Sequence, residues 1–225
     1  MYTDVHYSAE RTEGPESRFI YTYKTHVKDK TEAGNRGKGI SKIVIHGITQ
    51  QTRTKEVYDI SEKYDICELF IDSIDSLFRC AQWQIHSIQL DMTKEAPIFN
   101  KGAISTGFHA SLYFNVNMEG YLRPQTRRAW IYNVKELLRL CSKKYIIVSF
   151  GETVMEEQEV LEIFAKFKIK KSVATKFYTT NIENMLIQAA TKKFAFKGVI
   201  TPMQEQESSF KKMIYKATKP VANIK

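Results

Sequence analysis

From Ile43 to Phe167 short runs rich in β-branched and aromatic residues alternate with stretches whose apolar residues recur every three or four positions. That alternation is the signature of β-α repetition and confines the chain to an α/β fold on a mainly parallel sheet. The strands read as Ile43 to Ile48, Tyr64 to Phe70, Ile85 to Asp91, Leu112 to Val116 and Tyr145 to Phe150. They are almost continuously apolar, as strands covered on both faces must be, whether the sheet is open or closed into a barrel. Between them fall a helix carrying Leu77, Phe78 and Ala81, a short helical piece before Ser111, a long helix from about Pro124, and another holding Val160, Leu161, Phe164 and Phe167. Two earlier strands are expected around Tyr2 to Tyr7 and Arg18 to Tyr23, followed by an exposed loop from Lys28 to Gly39. Thr180-Asn181-Ile182-Glu183 has the pattern of a capping box opening a helix with Met185, Leu186, Ala189 and Ala190 inside and Lys192 and Lys193 at its end. A last strand is expected from Phe194 to Thr201, then a mobile tail from Pro202.

A chain of 225 residues, 43% hydrophobic, can bury one large core, so a single domain over 1–201 with a basic tail over 202–225 is the economical division. No apolar run reaches the roughly 20 residues of a membrane span, and the start has no hydrophobic signal region. An intracellular protein without a membrane role is expected. Cys67, Cys80 and Cys141 are odd in number, sit in apolar patterns and lack C-x-x-C spacing, which marks them as small buried hydrophobes of a reducing compartment.

The net charge of +9 is unevenly placed. Residues 168–225 hold 12 lysines against Glu183, Glu205 and Glu207, which accounts for all of it, while the preceding residues balance. A lysine-rich end on a neutral body suits a polyanion partner, although a basic tail can also serve solubility alone. The long helix carries its own anomaly. Arg127 and Arg128 fall in its first turn, where unpaired N–H groups and the macrodipole already present positive charge, so an anion such as phosphate is expected there. Trp130, Ile131, Val134, Leu137, Leu138 and Cys141 make the expected buried face of that helix, and Arg128, Tyr132, Lys135 and Arg139 form a basic stripe with one aromatic on another. The stripe could equally be a plain solvated face.

Catalytic chemistry is thinly represented. Asp4 and His6 lie two apart on the first strand, and His46, Asp91 and Glu152 lie near strand ends, a weak pattern for a metal site. There is no phosphate-binding G-x-x-x-x-G-K-[ST] loop, and Ser149-Phe150-Gly151 lacks the flanking glycine of a nucleophile elbow.

An ordered series of segments then resembles the TIM-barrel protein subunit of eukaryotic and archaeal ribonuclease P and ribonuclease MRP, the thirty-kilodalton subunit family. Tyr64-Asp65-Ile66 is similar to that family's Tyr-Asp-Val strand, and Ser76-Leu77-Phe78 to its Lys-Leu-Phe segment. Phe114 and Val116 match its Phe-Glu-Leu/Ile strand, and Arg127-Arg128 falls on its double arginine. Leu137 to Cys141 and Lys144 to Ser149 are similar to its helix end and its Lys-Asn-Val-Ile-Ile-Ser strand. Thr179-Thr180-Asn181 and Thr191-Lys192-Lys193 resemble Ser-Thr-Asn and Thr-Arg-Lys, and Thr3-Asp4-Val5 with Phe19 to Tyr23 resemble the first two strands. The series covers nearly all of the chain to about Thr201. Three departures accompany it: the first helix is squeezed out between Ser8 and Ser17, Asn115 replaces a glutamate, and Met155 to Glu159 replaces Arg-Gly-Pro-Tyr-Asp.

The resemblance implies a TIM-barrel-like, PHP-like α/β barrel with a shortened first β-α unit, acting as a non-catalytic scaffold in a ribonucleoprotein whose RNA cuts 5′ leaders from precursor tRNA, or in the related ribosomal-RNA processing particle. It implies as partners the ribonuclease P or MRP RNA, a small α/β protein subunit, other subunits of the particle and, indirectly, precursor tRNA. It implies no cofactor in this chain, the Mg²⁺ serving the RNA of the holoenzyme, and a nuclear, nucleolar location. Arg127, Arg128, Lys135, Arg139, Lys192, Lys193 and Lys197 are the expected RNA or partner contacts, with no catalytic or metal residues. Two rivals remain open: a PHP-type metal-dependent phosphoesterase, for which Asp4 and His6 would be strand-one ligands, and a generic RNA-binding barrel.

Overall fold

The computed structural model describes residues 7–8, 20–26, 40–49, 51–71, 73, 76–83, 85–94, 101–150 and 155–194. Seven strands, β1 (Tyr7–Ser8), β2 (Ile20–His26), β3 (Ile40–His46), β4 (Ile66–Ile71), β5 (Ser87–Leu90), β6 (Tyr113–Asn117) and β7 (Ile146–Ser149), form one sheet. Every neighbouring pair is parallel and the spatial order equals the sequence order. Such a sheet winds in one direction, each crossover stepping to the adjacent strand. Among the described residues β7 makes no ladder with β1, so the structure establishes an α/β fold on a parallel sheet and not a closed ring.

The helices are α1 (Thr54–Ser61), α2 (Leu77–Cys80), α3 (Lys101–His109), α4 (Glu119–Leu122), α5 (Pro124–Leu140), α6 (Glu157–Lys166), α7 (Lys171–Phe177) and α8 (Thr180–Phe194). Ile43, Ile45, Leu69, Ile88, Phe114 and Val148 share one face of the sheet by register and are buried. Helices α2 and α3 press on that face: a Cβ added at Gly107 would meet the Phe114 ring at 2.7 Å and Leu77 at 3.6 Å.

The opposite face is buried too, but part of it is polar. Lys42 Nζ lies 3.0 Å from Glu68 Oε1 with both side chains fully enclosed. Glu68 also accepts from Ser87 Oγ at 2.6 Å and from Asn115 Nδ2 at 3.0 Å. One fully buried carboxylate thus ties β3, β4, β5 and β6 together on this face of the sheet. Asn115, the residue standing where the resembling family has glutamate, here serves as a donor to that carboxylate.

Helix α8 lies across the N-terminal ends of the strands, the lower edge. Asn181 Nδ2 donates to the carbonyls of Lys143 and Ile146 at 2.8 and 2.7 Å at the start of β7. Gln188 reaches Ser111 O just before β6, Lys192 Nζ approaches Ile85 O just before β5, and Lys193 Nζ bonds Tyr64 O just before β4. From Asn181 to Lys193 the helix advances about 18 Å, and four neighbouring strands span about 14 Å, so the helix is long enough to cross all four. Ile182, Met185, Leu186, Ala189 and Ala190 face inward and are buried.

Several expectations are corrected here. Helices α1 and α7 were not expected. Phe194 ends α8 instead of opening a strand, and residues 195–201 lie outside the described residues, as does the 202–225 tail. Thr180 is the first helical residue and Glu183 N donates to Thr179 O, so the cap sits one residue earlier than the pattern suggested. Ile131 is 37% exposed, and Asn133 takes the place expected for it in the buried face of α5. A helix turns 100° per residue, which puts position 133, not 131, in line with Trp130, Val134 and Leu137.

Candidate nucleic-acid interface

Helix α5 is pinned to the C-terminal ends of the strands, the upper edge. Trp130 Nε1 donates to Asn117 O at 2.7 Å at the end of β6, and Asn133 Nδ2 donates to Met92 O and Lys94 O at 2.8 and 2.9 Å past the end of β5. Pro124 starts the helix, with Arg123 in extended backbone conformation before it. The fixed φ of proline suits a first helical residue, whose N–H would be unpaired anyway.

The structure explains how Arg127 tolerates the helix start. Its Nε donates to Tyr121 O at 2.7 Å and its guanidinium nitrogen to Leu122 O at 3.3 Å, while the guanidinium lies 5.0 Å from the Tyr121 ring centroid. The carbonyl end of α4 supplies the negative partner that the helix start does not. Lys166, at the end of α6, lies over the same ring at 5.9 Å. Arg127 therefore locks α4 against α5.

The remainder of the stripe is outward. Arg128 and Lys135 are exposed and make no side-chain hydrogen bond or ion pair among the described residues. Tyr132 is 59% exposed. Arg139 is exposed but paired with Glu136 at 2.9 Å, a solvent-screened pair that adds little stability.

Lys192 and Lys193 stand at the other edge of the sheet. Lys193 bonds Tyr64 O at 2.8 Å and Asp65 Oδ1 at 3.2 Å, and burial lowers the Lys192 pKa. The two expected lysine contacts thus do not join the arginine pair in one surface. Lys197, Asp4, His6 and Glu152 lie outside the described residues. His46 stacks on Phe70 with ring centroids 4.8 Å apart. Among the described residues no three His, Cys, Asp or Glu side chains are grouped so as to hold a metal ion.

Sequence reading missed a cavity of about 150 Å³ at the upper edge, between the ends of β4, β5 and β6 and the start of α5. Phe70 and Trp130 give it apolar walls, while Gln89, Asp91, Asn117 and Arg123 give it polar ones. Strand-end positions in an α/β sheet are where ligands usually sit, but only the fold shows which strand ends converge.

Comparison with known proteins places this architecture. A chain in the cryo-EM structure of archaeal ribonuclease P with mature tRNA superposes with a TM-score of 0.66, over 84% of this chain and 90% of that one, at 8% identity. The fold is shared with a component of archaeal ribonuclease P. A crystal structure of an uncharacterized protein is more distant, at a TM-score of 0.45 and 12% identity over 71% of this chain and 45% of that one. No protein-family model matches the sequence, and no curated protein does.

Proposed function

We propose that this protein is a non-catalytic protein subunit of ribonuclease P, or of the related ribonuclease MRP, that binds and stabilises the catalytic RNA during removal of 5′ leaders from precursor tRNA. The fold likeness over nine-tenths of the ribonuclease P chain carries the reading. An outward basic stripe of Arg128, Lys135 and Arg139 around Tyr132, and an excess of lysine in the last quarter of the chain, supply the charge that RNA binding needs. In this reading residues 1–201 close into a PHP-like barrel with a short first unit and 202–225 add a basic tail. The partners are the particle's RNA and a small α/β subunit, and the site of action is the nucleolus.

The experiment is purification of the tagged full chain from its own cells, followed by sequencing of the bound RNA. Enrichment of ribonuclease P or MRP RNA with precursor tRNA is expected, and it should fall in an Arg128→Ala, Lys135→Ala double variant whose melting temperature is unchanged. A bound population containing neither RNA, or cleavage of precursor tRNA by the isolated protein with Mg²⁺ or Mn²⁺, would overturn the proposal.

A further inference from the structure

The cavity at the upper edge has the size and the polar groups of a site for one unstacked base. Its volume of about 150 Å³ equals that of a protein cavity known to hold one benzene ring and is well below the roughly 300 Å³ of ordinary ligand pockets. A single six-membered ring fits, and a two-ring purine does not fit comfortably. Gly120 keeps it open: a Cβ there would meet Trp130 Cδ1 at 2.6 Å and Thr93 Cγ2 at 3.0 Å.

The hydrogen-bonding groups are fixed by their neighbours. Asp91 Oδ1 accepts from Thr93 N at 3.0 Å and Thr93 Oγ1 at 2.6 Å, which anchors the carboxylate and leaves its second oxygen as an acceptor. Asn117 Oδ1 accepts from Glu119 N at 2.9 Å, so its Nδ2 is the group left to donate. Gln89 makes no side-chain hydrogen bond among the described residues. A carboxylate acceptor beside two amides is the complement of a ring that donates from an exocyclic amino group and accepts at adjacent ring positions. Cytosine has that edge, and uracil presents a carbonyl where the carboxylate wants a donor.

Resting on the ribonuclease P reading, we infer that this cavity takes a cytosine base splayed out of a single-stranded RNA segment. Phe70, part-exposed at the cavity, supplies apolar contact of the kind that RNA-binding proteins commonly give to unstacked bases. Asp91 accepts from the exocyclic amine, and Asn117 and Gln89 donate to the ring nitrogen and carbonyl. The sugar-phosphate backbone leaves past Arg123 toward the first turn of α5, where Arg128 faces solvent.

Binding of labelled RNA hexamers of cytidine, uridine and adenosine to the full chain, at several salt concentrations, tests it. The parent should prefer the cytidine hexamer about tenfold, the discrimination one well-made base contact gives. Asp91→Asn keeps the oxygen that Thr93 needs and turns the other group into a donor, so the preference should vanish or reverse toward uridine. Gln89→Leu, remote from the Thr93 turn, should weaken cytidine binding alone, with the salt slope unchanged. Arg128→Ala should weaken all three hexamers equally and flatten the slope. If the hexamers bind equally, or Asp91→Asn and Gln89→Leu leave the preference intact, the base site is overturned while the RNA-binding reading stands. If no hexamer and no ribonuclease P or MRP RNA binds, both fall.

Discussion

The two edges of the sheet carry similar basic pairs with different surroundings. At the lower edge Lys193 holds Tyr64 O and Asp65, and Lys192, although exposed, approaches Ile85 O, so each has a partner within the fold. At the upper edge Arg127 is likewise held by the end of α4, but Arg128 and Lys135 face solvent. Side by side, the pairs show that adjacent cations in a sequence say little until their partners are located. What separates a structural lysine from a phosphate contact is whether a carbonyl already fills its coordination.

The most damaging way to disturb this contrast lies between the edges. Lys42→Met should cost about 3 to 5 kcal/mol, because it leaves the Glu68 carboxylate enclosed without its cation. Denaturant titration would show it, and a further Glu68→Gln change should recover part of the loss. Full stability in the single variant would mean that water or a neighbour compensates the charge. At the lower edge, Asn181→Ala should cost about 2 to 3 kcal/mol by stranding the carbonyls of Lys143 and Ile146, with no effect on RNA binding.

Acid should probe the same edge. His86 accepts from Cys67 N at 3.0 Å, and burial first, then Lys192 and Lys193, lower its pKa from the usual 6.5 to about 3. Between those values the unfolded chain holds a proton that the folded chain does not, so stability drops as pH falls through that window. Partial exposure of the ring limits the effect to on the order of 2 kcal/mol. Unfolding measured from pH 7 to 4 on the parent and on His86→Gln isolates it, since the variant should lack this component. A parent-minus-variant difference that is flat with pH would show that the imidazole is not held neutral.

The smallest stability change sharpens the contrast most. Lys193→Met should lower stability by about 1 kcal/mol, through the lost bond to Tyr64 O, and leave RNA affinity alone. Arg128→Ala should do the reverse. Equal losses of RNA affinity in the two variants would erase the distinction between the edges.

The strands were legible because burial on both faces makes them continuous apolar runs, as at Ile146 to Val148. Helix α1 was not, since Val57 and Ile60 are its only large buried apolar residues, and α7 is lysine-rich with only Ala174 and Phe177 buried. The pattern flagged Arg127 and Arg128 as anomalous but could not see that α4 supplies carbonyls to one and nothing to the other. Lys42 falls one residue before the strand expected from Ile43, and no periodicity announces a buried ion pair formed with a residue in the next strand. The cavity at the upper edge was hidden for a similar reason: Gln89 and Asp91 meet Asn117 only after two strands, far apart in sequence, are aligned.

The position of α8 also bears on how the molecule comes apart. Each parallel pair joins neighbours close in sequence, such as Lys42 with Ile66 or Glu68 with Ser87, whereas the Lys193 contact to Asp65 closes a separation of 128 residues. Loop closure over that distance gains little until the strands are already assembled. The helix across the lower edge is therefore a latch set late in folding, and weakening it through Asn181 should quicken unfolding while leaving the refolding rate nearly unchanged. The molecule's lifetime against opening would then be set at the lower edge, opposite the one that carries the outward stripe of α5.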